Sequence, residues 1–202
     1  MSKDFIKFSL LFIFLSGVLV GCANAQTVDL STDKAVIAEL QKIVDAKRDE
    51  IGDKEDKNLE AKKKNAGKLE AKDVCIKRLE ESANVIVIGF FADDLGCRFN
   101  GAFVDSRYFE KSDANLSKNA LDALGWMTAN RQEREKLAKL WVEKGLLAFS
   151  ALTNPRFGAV LTEGGGIKVI VSRRFPSGVT SRHAPKIFVF DKDGGLLSAS
   201  GN

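Results

Sequence analysis

The side chains that could do chemistry are few. The chain of 202 residues has one histidine, His183, and three cysteines, Cys22, Cys75 and Cys97. Structural zinc takes four Cys/His ligands, and catalytic zinc usually takes two or three histidines. This inventory therefore assigns no metal site, and it points to no cofactor. A Ser–His–Asp relay would have to run through His183, which follows Ser181 and Arg182, and the chain has no G-x-S-x-G elbow. Two carboxyl groups are enough for acid–base hydrolysis, and Asp93, Asp94 and Glu163 are the candidates. Adjacent aspartates before Leu95-Gly96 also suit a turn, where their side chains bond nearby backbone. Asp191-x-Asp193-Gly194 is only a fragment of a calcium loop, without the third acidic position or the closing Glu. Gly164-Gly165-Gly166 lacks the Lys-Ser/Thr of a phosphate loop. No catalytic residue is assigned.

One cluster remains. Arg173, Arg174, Arg182, His183 and Lys186 fall within 14 residues, between the end of one expected strand and the start of the next. Guanidinium forks suit carboxylate and phosphate, so these residues are candidates for binding an anion or an acidic partner. Cationic residues at a sheet edge also discourage sheet-to-sheet association, and that role needs no ligand.

The elements that must position these residues sit in an uneven chain. Hydrophobic residues make up 45% and charged residues 29%, with 31 Lys+Arg against 27 Asp+Glu. That apolar content is enough for a packed core, and a formal charge of +4 is no nucleic-acid footprint. Lys3 and Lys7 precede an apolar run of 13 residues, Phe8 to Val20. Its length suits the core of an export signal and falls short of the roughly 20 residues of a bilayer span.

The run ends at Leu19-Val20-Gly21-Cys22, which resembles the lipobox of bacterial lipoproteins. The resemblance covers the signal alone. It implies cleavage before Cys22, a thioether-linked diacylglycerol on that cysteine and usually an N-acyl chain such as palmitate. Two or more acyl chains give a stable anchor where one is marginal. In a diderm organism, Ala23 after the cysteine resembles lipoproteins sorted to the periplasmic face of the outer membrane. The competing reading is an A-x-A site at Ala23-Asn24-Ala25, which would release a soluble periplasmic or secreted protein. Either cleavage leaves Cys75 and Cys97, 22 residues apart, as the thiols available to pair. In an oxidising compartment they are expected to form a disulfide worth about 3 kcal/mol on the chain-entropy model.

Beyond the signal (1–21) and a tether (22–32), residues 33–73 read as an amphipathic helix followed by a charged arm. Val36, Ile37, Leu40, Ile43 and Val44 recur at helical spacing. Residues 47–73 then hold 9 Lys/Arg and 8 Asp/Glu, with Ile51, Leu59 and Leu69 as their only large aliphatics. Such a stretch buries little, so it is a solvated helix or an arm. A compact α+β domain is expected over 74–202. Asn84–Phe91 reads as a buried strand and Cys97–Val104 as a second, with a hairpin signal at Asn100-Gly101 leaving register open. A helix over Leu116–Ala129, with Ser117 as candidate cap, and a longer one from the Asn130-x-x-Glu133 capping box to about Leu152 follow. Strands Phe157–Glu163, Ile167–Phe175, Pro185–Phe190 and Leu196–Ser200 close the chain. The expected fold is an antiparallel sheet of about five to six strands against two to three helices, in the order α-β-β-α-α-β-β-β(-β).

The sequence favours a lipid-anchored, non-enzymatic binding module of the cell envelope. Its partner would be another envelope protein, as for an inhibitor, an immunity protein or a complex scaffold. An envelope hydrolase or transferase using carboxylates, and an anion-binding protein using the Arg173–Lys186 loop, are the alternatives. The anchor is directly testable. Cys22→Ser is expected to abolish acylation, measured by lipid labelling, and to move the protein out of the membrane fraction.

Overall fold

A computed structural model describes residues 28–52, 68–91, 96–173 and 184–201. Helix α1 (Asp33–Gly52) precedes four strands, β1 (Val74–Leu79), β2 (Ser82–Phe91), β3 (Cys97–Val104) and β4 (Arg107–Glu110). Helices α2 (Leu116–Ala123) and α3 (Arg131–Leu140) follow, and α3 runs on into a π-helical turn, Trp141–Leu146. Four more strands complete the chain: β5 (Pro155–Leu161), β6 (Ile167–Arg173), β7 (Lys186–Phe190) and β8 (Leu196–Ser200). The strands form two antiparallel sheets, β1-β2-β3-β4 (sheet A) and β5-β6-β7-β8 (sheet B), each connected in chain order. The α+β class is as expected. The single sheet of five to six strands is not, because eight strands divide between two sheets.

The residue types explain the layering. Directly paired residues in an antiparallel ladder put their side chains on the same face. In sheet A, Val85 pairs with Val104, and Val87 with Ala102, which pairs in turn with Phe109. These face inward and join α2, α3, the π turn and the inner face of sheet B in one core. The alternate positions, Ile86, Ile88 and Phe103, face the other way and pack with Val36 and Leu40 of α1 in a second core. Strand β2 is thus covered on both sides, which is why its sequence is continuously apolar instead of alternating. Leu30, ahead of α1, is buried in the same second core. The structured body therefore takes in Val28–Gly52 as well as the stretch from Val74.

β3 covers the expected second strand, Cys97–Val104, but several local expectations change. Asn100-Gly101 makes no turn, and the chain reverses at Asp105-Ser106, both in the left-handed region (φ 47° and 65°). Gly101 sits there because a β-carbon would collide with the Phe109 carbonyl on the neighbouring strand. The first expected long helix stops at Ala123, and Gly125 (φ 93°) turns the chain away. Ser117 caps nothing; it is buried, and its Oγ accepts a hydrogen bond from the Leu196 amide at 2.7 Å, tying α2 to β8. The Asn130–Glu133 capping box is present, with both reciprocal bonds made. Where the second expected helix ran on to Leu152, the π turn instead inserts Trp141 fully into the core. Gly145 lies against the indole ring, where a β-carbon would collide with it.

Cys75 and Cys97 form the expected disulfide, with a Cα–Cα distance of 6.3 Å. It joins β1 to β3 across β2, over Gly89, which pairs with Cys75 on one side and Phe99 on the other. A β-carbon on Gly89 would lie 2.6 Å from Cys97 Sγ, 2.7 Å from the Arg98 carbonyl and 2.8 Å from Phe149. Residue 89 must therefore be glycine for the bridge to close. Gly89→Val is expected to lower the yield of the oxidised form and to cost stability comparable to losing the disulfide, about 3 kcal/mol. Free-thiol titration and chemical denaturation check this.

Candidate functional site

Among the expected site residues, Arg173 and Lys186 are brought together. Arg173 ends β6, Lys186 begins β7, and Lys186 pairs with Val171. The two cations are therefore diagonal neighbours on the same face at one end of sheet B. With the segment Ser150–Leu152 after the π turn they line a cavity of about 130 Å³, whose other walls come from Val171, Ser172 and Ala184. No carboxylate lines it, and neither cation has an ion-pair partner among the described residues. Elsewhere on the surface Lys144 meets Glu81 at 2.9 Å and Arg78 meets Asp33 at 3.0 Å. Arg174, Arg182 and His183 lie outside the described residues, as do Cys22, Asp93, Asp94 and the arm over 53–67. Glu163 is exposed at the β5–β6 turn, at the opposite end of β6 from Arg173. The described residues hold no group of three His, Cys, Asp or Glu side chains placed to bind a metal ion, and no helix long and apolar enough to cross a membrane.

One face of sheet B is also uncovered by the described residues. Phe157, Ala159, Ile167, Val169, Val171, Phe188 and Phe190 turn into the shared core. The positions between them point outward in paired rows, Gly158–Ile170–Ile187–Ser200 and Val160–Lys168–Val189–Ser198, flanked by Arg156 and Ser172. Val160 is 49% exposed, and Ile170, Ile187 and Val189 are half-buried with no element of the described chain laid over them. Every charge in these rows is positive. Sheet A presents the comparable face to α1 and buries it.

Two features had no legible signal in the sequence. A groove of about 590 Å³ runs between α1 and the β3–β4 hairpin, bordered by Glu39, Ile43, Phe103 and Tyr108 and spanned by an ion pair between Lys47 and Glu110. Burial raises the Tyr108 hydroxyl above its ordinary pKa, Glu110 adds to the shift, and a 2.7 Å hydrogen bond from Asn100 opposes it. This side chain is a hydrogen-bonded wall of the groove, protonated at neutral pH. The second feature is Asp122 on α2, whose Oδ1 is sealed from solvent with no hydrogen-bond partner among the described residues. Burial pushes its carboxyl upward, Lys118 pulls it down, and Asp193 in the β7–β8 turn pushes it up again. That turn lies at the far end of β7 from Lys186, so Asp122 is no part of the cationic cavity.

No protein-family model, curated protein or solved structure matches this chain significantly. The site must therefore be read from its own chemistry.

The raised Asp122 has a definite pH signature. A carboxyl whose folded pKa exceeds its unfolded value costs stability once ionised, and the cost disappears below the unfolded pKa. Asp122→Asn is therefore expected to raise the thermal midpoint at pH 7, modestly because the side chain is partly solvated. The gain should vanish below about pH 3.5, where aspartate is protonated in both states. Thermal melts of both proteins across pH 3 to 7 measure it.

Proposed function

We propose that the mature chain is a membrane-anchored, non-enzymatic binding module of the cell envelope, and that it docks its partner on the outer face of sheet B. The observation that carries this reading is the uncovered apolar patch of Val160, Ile170, Ile187 and Val189. An apolar face with a polar rim is the usual form of a protein-interaction surface. Arg156 and Lys168 are the charges on it, so a second copy of the chain would bring like charges together. The complementary surface is apolar with a carboxylate rim, as on another envelope protein.

One further observation supports the envelope setting, and a second sets the reach that an anchor would allow. The Cys75–Cys97 disulfide fits an oxidising compartment. The second concerns reach. Ser106 Oγ donates to the Val28 carbonyl at 3.0 Å and Arg78 donates to the Leu30 carbonyl at 2.7 Å, so Val28 is held against the folded body. With the lipid on Cys22, the intervening residues can span no more than about 20 Å whatever their conformation. The domain then works at the membrane surface, on partners that are themselves membrane-proximal.

In-cell photo-crosslinking tests the docking face. A photoreactive residue at 160 or 187 is expected to give one discrete adduct, and one at Lys136 on the exposed side of α3 none. Ile187→Glu should abolish the adduct at 160 while leaving the thermal midpoint within a few degrees, because this side chain is outside the core. Equal crosslinking from all three positions, or none from 160 and 187, would refute the docking face.

A further inference from the structure

We infer that the cavity at the end of sheet B is a binding site for a phosphate-type oxyanion, held by Arg173 and Lys186 with the Ser150 hydroxyl beside them. This site adjoins the docking face at Ser172, but its cations point away from that face. The register turns Arg173 and Lys186 to the same side as Val171, toward the helical layer, whereas the docking rows point outward.

Three observations carry the inference. First, two cations are held as diagonal neighbours with no carboxylate lining the space between them and no ion-pair partner among the described residues. Like charges so placed repel, and a bound anion turns that repulsion into attraction. Second, Val171 is buried and gives the cavity an apolar floor, so a bound group is shielded from water on that side. Third, the size and charge suit a small oxyanion. The volume is about 130 Å³, roughly four times that of one water, enough for a phosphate group to sit against both cations while the rest of a larger ligand extends into solvent. A phosphomonoester carries about −1.5 to −2 at pH 7 and offers three acceptor oxygens, matching two cations and a hydroxyl. A carboxylate carries one charge and would leave one cation unanswered. The ligand is accordingly a terminal phosphate, either on a soluble molecule or on a phosphomonoester lipid headgroup.

Titration of the purified protein with inorganic phosphate at constant ionic strength, followed by amide chemical shifts, tests the site. Saturable shifts are expected at Ser150–Leu152, Val171–Arg173 and Lys186. Arg173→Ala and Lys186→Ala should each weaken binding about ten-fold, the equivalent of one charge-assisted hydrogen bond. Arg173→Lys should retain part of it, which separates loss of charge from loss of fold. Arg156→Ala and Lys168→Ala remove the same charge from the outward face and should leave the affinity unchanged. Phosphatidic acid vesicles, compared with phosphatidylcholine vesicles, then distinguish the two sources. Capture by the former places the phosphate on a lipid, and phosphate binding without vesicle capture places it on a soluble ligand. Shifts that never saturate, acetate binding as tightly as phosphate, or equal weakening by the outward-face variants would each overturn the site.

Discussion

Strand β2 lies in two cores at once, and most of the architecture follows from that position. Val85 and Val87 fill the core shared with the helices and sheet B, while Ile86 and Ile88 fill the core under α1. A strand covered on both faces forces the layer order, because one side must receive a helix and the other the rest of the chain. It also fixes register: a slip by one residue would exchange the two side-chain sets and carry Gly89 out from beneath the disulfide. The bridge and the glycine under it are thus consequences of the same constraint, holding β1 and β3 where β2 needs them.

The sequence revealed most where burial is continuous or a cap is local. The run Asn84–Phe91, the capping box at Asn130 and the two C-terminal hairpins were readable because their signals lie within a few residues. The split into two sheets was not. Arg107–Glu110 is only four residues long, and it becomes a strand because β3 offers it a partner edge. Asn100-Gly101 left the register of the expected strand open because Asn-Gly is a common hairpin pair, yet Gly101 is selected there by close approach of the next strand. Ser117 has the chemistry of a cap but answers an amide on β8, 79 residues away. Long-range partners of this kind leave no trace in local spacing.

The candidate sites divide in the same way. Arg173 and Lys186 were legible as a pair because a hairpin joins them, whereas the Ser150–Leu152 segment that completes their cavity arrives from beyond the π turn. The docking rows were hidden for a different reason. In sequence the strands of both sheets look alike, since each alternates or runs continuously apolar. Among the described residues, the placement of α1 covers sheet A on its far side, and no element lies over sheet B. The α1–β4 groove is likewise a product of that single helix.

The order in which the chain is made gives this layering a further consequence. Every ladder of sheet A, and both cysteines of its bridge, lie between Val74 and Glu110, so this half can pair and oxidise before the rest emerges. With α1 in place its far side is covered, but Val85, Val87, Val104 and Phe109 still face water until the helices and sheet B are added. For that interval the nascent protein is a half-sandwich with one greasy wall. Such a species binds to itself readily at high concentration. Until sheet B arrives that wall stays open to self-association, and a chaperone that shields it would protect the chain.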